Sequence, residues 1–592
     1  MPRQSAKPKR AGKLALKDKE PQPFGGEPAS RTLRIIAQDP SVKAPANDGK
    51  PAGILTTEVS VPCEKLADGP RGYRVHVVDY DSSTQTLYAP KALPPNDDPY
   101  RDATDSVLMS DPGFHAQNVY AIVMRTLAAF EFALGRRVSW AFDSHQLQVA
   151  PHGFSVANAF YSRRDQALMF GYFSTPGGDT VFTCLSHDII AHETTHALLD
   201  GLRERYMDPS SMDQLAFHEG FADVIALLSV FSLEKVVKAL LNPDKETSKK
   251  NVIRKKLTTE DALTESALLG LGEQIGAAMP GSRGDALRRS VSLPEDSDIL
   301  QKAEFEEAHR RGEVFVAAMM KAFVKVWVKR LSTLGEVERG MLHLDRVIED
   351  GAKAAKHLMT MAIRALDYCP PTALTFAQYL TAMLSADEEL QPDDSQYGYR
   401  QVLQQSFGAF GIKRAAAGWK LSEEEQNSLN YRRTHFESLT RDPDEVFRFV
   451  WENRTQLQLH LLAYTKVISV RPCTRLSSDG FILRETVAEY IQLASLSAGE
   501  LAAKVKRPLP EGTSEEEPVR LYGGGTLIFD EYGKLKYHAY NPVIDPGGQQ
   551  KRLAELWDRG YFDSGTGNRF SQLHLDRITS LPMMAPKGET AW

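Results

Sequence analysis

Cysteine is scarce: Cys63, Cys184, Cys369 and Cys473 are the only four in 592 residues, they lie far apart, and no C-x-x-C pair occurs. A disulfide scaffold is thereby excluded, a reduced compartment is indicated, and no thiolate zinc site is expected. Excess charge is also lacking. A formal net charge of -6 on a chain of this length gives no global electrostatic reason to bind nucleic acid or an anionic membrane, so neither partner is expected. No run of about 18 apolar residues appears, and the start "MPRQSAKPKRAGKLALKDKEPQP" has no apolar h-region. A soluble, cytoplasmic protein is the expectation. No internal repeat is present, which excludes a solenoid. The triplet Gly523, Gly524 and Gly525 is followed by neither Lys-Ser/Thr nor a helix, so it is not read as a phosphate loop.

What is present is enough apolar sequence, 42% of residues, for a large core and two to four domains at roughly 150 residues each. Residues 1–30 are basic, with Arg3, Lys7, Lys9 and Arg10 among prolines, and read as a solvated tail. Residues 31–100 carry short β-rich runs, "TLRIIAQ", "ILTTEVSVPC" and "GYRVHVVDY", then a Pro/Asp linker. From "NVYAIVMRTLAAFEFALG" the period is helical and stops at Gly135; three strands, "QLQVAPHG", "SVANAFYS" and "QALMFGYFS", follow. Beyond Ser186 the chain is helical by period to about Ile412, with a break at "AAMPGSRGDALRRS". Residues 413–592 begin helical and turn to two alternating strands around Asp530 to Lys534, a hairpin.

Chemistry concentrates in "DIIAHETTHALLDG", which contains H-E-x-x-H. Side chains at i and i+4 lie one turn apart on one helix face, so His192 and His196 can present two imidazole nitrogens to one zinc ion. Glu193 lies beside them, where a carboxylate can take a proton from the attacking water and return it to a leaving amine. Ser186 or Asp188 starts this helix. By chance alone the pattern is expected a few times in a hundred chains of this kind, so a third ligand is needed to support it. Twenty-three residues after His196, "LAFHEGFADVIALL" sets Glu219 and Asp223 at i and i+4 on an apolar helix, where carboxylates are costly unless neutralised. Glu219 is assigned as third ligand and Asp223 as the carboxylate that orients His192. His218 is the competing ligand, turned about 100° from Glu219.

These motifs resemble the thermolysin-like zinc metallopeptidases, the gluzincin arrangement, over roughly Asn118 to Ile412. The resemblance extends to "NAFY", like the family's edge strand, which implies that Asn158 and Ala159 hold an extended substrate. It extends to "GDALRRS", which implies that Arg288 grips a substrate carbonyl and that Leu287 walls a pocket. "EEAHRRGEVF" is similar to the segment of the family's transition-state histidine and implies that role for His309, with Glu304 or Glu306 orienting it. Tyr206 is implied as a second donor to the oxyanion. Of the family's calcium cluster only Asp188 and Glu273 match, and two carboxylates make a poor site for an ion that takes six to eight oxygens. The family's signal and long pro-region have no recognisable counterpart, nor does the segment after Ile412.

The expected fold is α+β: a β-rich N-terminal module (31–100), a two-lobed thermolysin-like unit (101–412) and an added C-terminal α+β domain (413–592). The expected function is a zinc metalloendopeptidase with one zinc per chain, acting on internal bonds of a peptide or protein substrate. The alternatives are a non-catalytic zinc scaffold that recruits a protein partner through the C-terminal domain, and a latent protease held shut by one of its own modules.

Overall fold

Alternation decides the first elements. In Thr56–Pro62 every second side chain is buried, and the strand pairs antiparallel with Ser30–Ile36, Leu33 opposite Val59. The buried face lies on the helix Pro112–Leu134, so Leu33, Ile35, Val59 and Val61 belong to the same core as Val119, Ile122 and Val123. That helix starts six residues ahead of the apolar period: Asp111 caps it by accepting from Gly113 N–H, and Pro112 occupies the first turn. It stops where expected, at Gly135 with φ 67°. The computed structural model describes residues 29–543 apart from 44–52, 95–96, 143–144, 176–177, 208–209, 244, 270–288, 416–418, 478–479, 507, 510–513 and 517. The basic tail therefore lies almost entirely outside the described residues.

A five-stranded mixed sheet follows. Val75–Val77, Leu147–Phe154 and Ala167–Ser174 run parallel, and Ala159–Ser162 pairs antiparallel with Ala167–Ser174, which Thr180–Phe182 also joins. Ala159–Ser162 is thus an edge strand along its length. Its pairing has a consequence for the site. Tyr161 N–H is bonded away from the sheet, to Glu193, so Tyr161 opposite Leu168 is a pair without ladder bonds. Backbone groups two residues apart point the same way, which directs the Ala159 carbonyl to the same outer edge.

The helices come next: a motif helix His187–Leu202, a glutamate helix Met212–Phe231, a histidine helix Ala308–Leu331, then Leu344–Ala365, Phe376–Leu390 and Tyr399–Gly408. They pack around Phe217, Phe221, Phe315 and Tyr379, whose ring centroids lie 4.7–6.0 Å apart. The glutamate helix is long and apolar enough to cross a membrane, and 89% of its most apolar window is buried inside this bundle. It meets the histidine helix at two glycines. A Cβ on Gly220 would come within 3.0 Å of Gly312 O, and one on Gly312 within 3.0 Å of Ala216 O. This contact, next to Glu219 and one turn from His309, brings the two helices close enough for those side chains to share a site.

The C-terminal region differs from expectation. The hairpin across Asp530 to Lys534 is present, its Asp530 N–H bonded to Lys534 O, but it is half of a four-stranded antiparallel sheet. Tyr464–Leu476 and Ile482–Ser497 were not foreseen as strands. "ETVAEYIQLASL" has helix-favouring Glu, Ala and Leu at helical spacing, and pairing on both sides overrides that preference. Gly523, Gly524 and Gly525 lie inside the strand Pro518–Phe529, as their failure to make a phosphate loop required. As a whole the fold is mixed α+β, in agreement with the sequence.

Candidate metal centre

The motif helix begins at Ser186, not Asp188. Ser186 Oγ donates to Asp39 Oδ2 (2.8 Å) and Asp188 Oδ1 (3.0 Å), and Asp188 falls in the first turn, where a carboxylate suits the helix dipole. Nearly every side chain on this helix is buried, its polar ones included. Thr194 and Thr195 satisfy their hydroxyls on Ile190 O and Ala191 O. Asp200 accepts from Tyr161 Oη and from Arg163, which fastens the edge strand to the helix.

One turn apart, His192 Nε2 and His196 Nε2 lie 2.8 Å from each other. Glu219 closes the triangle, with Oε2 3.6 Å from His192 Nε2 and Oε1 3.6 Å from His196 Nε2. These three residues form one buried donor group. Zinc at about 2.0–2.1 Å from each donor requires donor-to-donor edges of roughly 3.3 Å, and the observed edges straddle that value. The outer nitrogens fit as well. His192 Nδ1 is 2.8 Å from Asp223 Oδ1, and His196 Nδ1 is 2.9 Å from His218 Nδ1. The Asp223 carboxylate draws the His192 Nδ1–H outward and leaves its Nε2 lone pair facing Glu219, the tautomer that a metal requires, and His196 takes the same form when its Nδ1–H donates to His218. His218 is not part of this donor group: it stands behind His196, bonded to its outer nitrogen. Its adjacency to Glu219, turned about 100° around the helix, was the signal for that role.

Glu193 sits on the side of the triad that faces the edge strand, its Oε2 accepting Tyr161 N–H at 3.1 Å. Asn158 Oδ1 accepts the N–H of Ala159 at 2.9 Å, so this side chain stiffens the edge strand where it passes the site.

His309 arrives on the first turn of the histidine helix, Nε2 3.9 Å from Glu219 Oε2. Its orienting acid is neither Glu304 nor Glu306 but Glu307, whose Oε1 is 2.8 Å from His309 Nδ1. Glu307 is the helix cap and also accepts the N–H groups of His309 and Arg310, which turns its carboxylate back onto the ring. Burial pushes this carboxyl up, but the His309 ring and the two N–H bonds outweigh it and hold it at about 2. Since Nδ1–H faces a carboxylate, Nε2 donates into the site only when the ring carries both protons.

Tyr206 does not belong to the site. The helical turn Glu204–Met207 buries it completely, with Oη donating to Pro370 O at 2.8 Å and its ring against Phe217. A phenol spent on a core carbonyl has no proton to offer an oxyanion. Leu287, Arg288 and Glu273 lie outside the described residues. The neighbouring Arg289 bonds Glu313 at 2.7 Å. Compared with known family models and with curated proteins, the chain gives no match, so the chemistry of this site stands on its geometry.

If this centre hydrolyses a substrate, His309→Ala is expected to lower kcat by about 10²–10³ with KM and metal content little changed, as for a group that acts mainly on the transition state. An unchanged kcat in the alanine variant would remove His309 from the reaction.

Proposed function

We propose that this chain is a zinc-dependent endopeptidase of the thermolysin-like kind, which hydrolyses internal peptide bonds at the triad, where the motif helix meets the mixed sheet. The sheet and the bundle then correspond to the two lobes, an assignment supported by the edge strand that borders the motif helix. A single observation carries the reading: a buried two-histidine, one-carboxylate triad with a separate carboxylate, Glu193, beside it and a carboxylate-backed histidine opposite. A merely structural site has no use for the last two.

His192, His196 and Glu219 would hold the ion. Bound there, zinc supplies Lewis acidity toward a carbonyl and makes a water nucleophilic at neutral pH. The chain's own groups do the rest. The outer edge of Ala159–Ser162, to which the Ala159 carbonyl points, suits an extended peptide lying along it, while the Tyr161 N–H there positions Glu193. Glu193 takes the proton of the attacking water and hands it to the leaving nitrogen. His309, its Nδ1 held by Glu307, presents Nε2 to the oxygen on which negative charge develops.

The test joins metal analysis of the purified full chain with a peptide-library cleavage assay. One zinc is expected at this triad, and His196→Ala should remove it, since two remaining ligands cannot hold zinc tightly. Undiminished zinc in that variant, or none in the wild type, overturns the site. Calcium is expected to matter little: among the described residues Asp188 is already engaged with Ser186. A second reading, a scaffold that recruits a protein partner, draws on the apolar side chains exposed in the C-terminal region, where Leu462 is 92% and Tyr464 67% exposed.

A further inference from the structure

We propose that a second metal site, distinct from the triad and built of His115, His152 and Cys184, holds a thiophilic d10 ion, zinc or copper(I), behind the mixed sheet. The three come from different elements. His115 is on the helix Pro112–Leu134, His152 on the strand Leu147–Phe154, and Cys184 in the turn Thr183–Leu185 that feeds the motif helix. All are buried, and one nitrogen of each ring and the cysteine Sγ lie within 4.8 Å of one another. Edges of that size suit an ion about 2.0–2.1 Å from nitrogen and about 2.3 Å from sulfur.

Hydrogen-bond accounting points to the ion. His152 Nδ1 lies 2.9 Å from both carboxylate oxygens of Asp79, and His115 Nε2 lies 3.2 Å from Met109 O. Both partners only accept, so each ring commits its N–H outward. The inner nitrogens, His115 Nδ1 and His152 Nε2, then face each other as two lone pairs 2.8 Å apart. At that distance a proton or an ion must lie between them, and an ion that also reaches the Cys184 sulfur serves both rings. The same 2.8 Å separates the inner nitrogens of the motif histidines, whose outer nitrogens are likewise engaged. A carboxylate behind one histidine and a carbonyl behind the other are the usual supports of metal-bound imidazoles. Cys184 distinguishes this set from the triad: its sulfur selects zinc or copper(I) over harder ions. On binding, the thiol proton passes to solvent, and the thiolate with the ion leaves one net positive charge for zinc, or none for copper(I), beside Asp79. Phe182, with its ring centroid 4.8 Å from His115 and 5.2 Å from His152, covers one side of the two rings with apolar surface. The expectation that the cysteines offer no thiolate site rests on their spacing along the chain, whereas the ligand set proposed here is assembled across the fold.

The test uses the full chain produced in cobalt-supplemented, zinc-depleted medium, beside natively produced protein. Cobalt bound by thiolate shows an intense near-ultraviolet charge-transfer band, and the triad contains no sulfur. The band is expected in the wild type and in His196→Ala and is lost in Cys184→Ser, which should also lose one metal equivalent of two in the native preparation. Elemental analysis then tells zinc from copper. A wild type that binds one equivalent and shows no sulfur band, a reading that needs no variant to fold, overturns the proposal, as does a band that survives in Cys184→Ser.

Discussion

Glu193→Gln is expected to reduce peptide hydrolysis by at least about 10²–10⁴ while zinc stays in place. The substitution keeps the side-chain length, and the amide oxygen can still accept Tyr161 N–H, so the bond that positions the residue survives. Asp223 and His218 hold the outer nitrogens of the two histidines, and the substitution leaves both in place. What the amide cannot do is take a proton from water. Zinc content should therefore match the wild type, and any self-processing should cease together with peptide cleavage. The scaffold reading makes the opposite forecast. If the triad only shapes a partner-binding surface, the glutamine variant performs like the wild type in cells and neither cleaves any member of a peptide library. That pair of results would make the zinc structural and the peptidase reading wrong.

The residues legible in the sequence are those whose geometry a single helix dictates. His192 and His196 on one face, and Glu219 with Asp223 on the next helix, follow from a period of 3.6, and the structure brings all four to one point. Glu307 was missed because three glutamates precede His309, and only the one that caps the helix turns back to the ring; an acid two residues before a histidine at a helix start is the signal. Tyr206 was misassigned because distance along the chain does not tell which way a short helical turn rolls its side chains. His115, His152 and Cys184 carry no spacing at all. They are 37 and 32 residues apart, and only the packing of a helix on a sheet brings them together. The C-terminal strands were hidden for a related reason, their pairing being a long-range effect that local preference opposes.

Asp367→Asn is expected to be strongly destabilising, because it removes the central anion of a buried charge cluster. Asp367 accepts from Arg136 at 2.5 and 2.7 Å and from Arg475 at 2.6 Å, and all three are buried. Arg475 also reaches Glu485, which Tyr368 Oη contacts. Nearby, Arg203, the residue after the motif helix, bonds Glu489 and Leu366 O. The cluster lies where the C-terminal sheet meets the helices, so neutralising Asp367 leaves two guanidinium ions facing each other out of water, at a cost of about 3–5 kcal/mol. Burial alone raises this carboxyl, but Arg136 and Arg475 outweigh it and hold it well below the usual carboxylate range. A depressed folded-state pKa means that its contribution is present above the unfolded value, about 3.9, and is lost as pH falls toward the folded one. In urea titrations at neutral pH the variant should unfold at clearly lower denaturant than the wild type. The difference should shrink as pH is lowered below about 4, where only the wild type still has this carboxylate to lose. Arg203 ties the far end of the motif helix to the same interface, so hydrolysis should be lost at the reduced unfolding temperature and not before it. A variant as stable as the wild type at pH 7, or a gap between the two that widens in acid, would mean that the cluster does not hold the sheet to the helices.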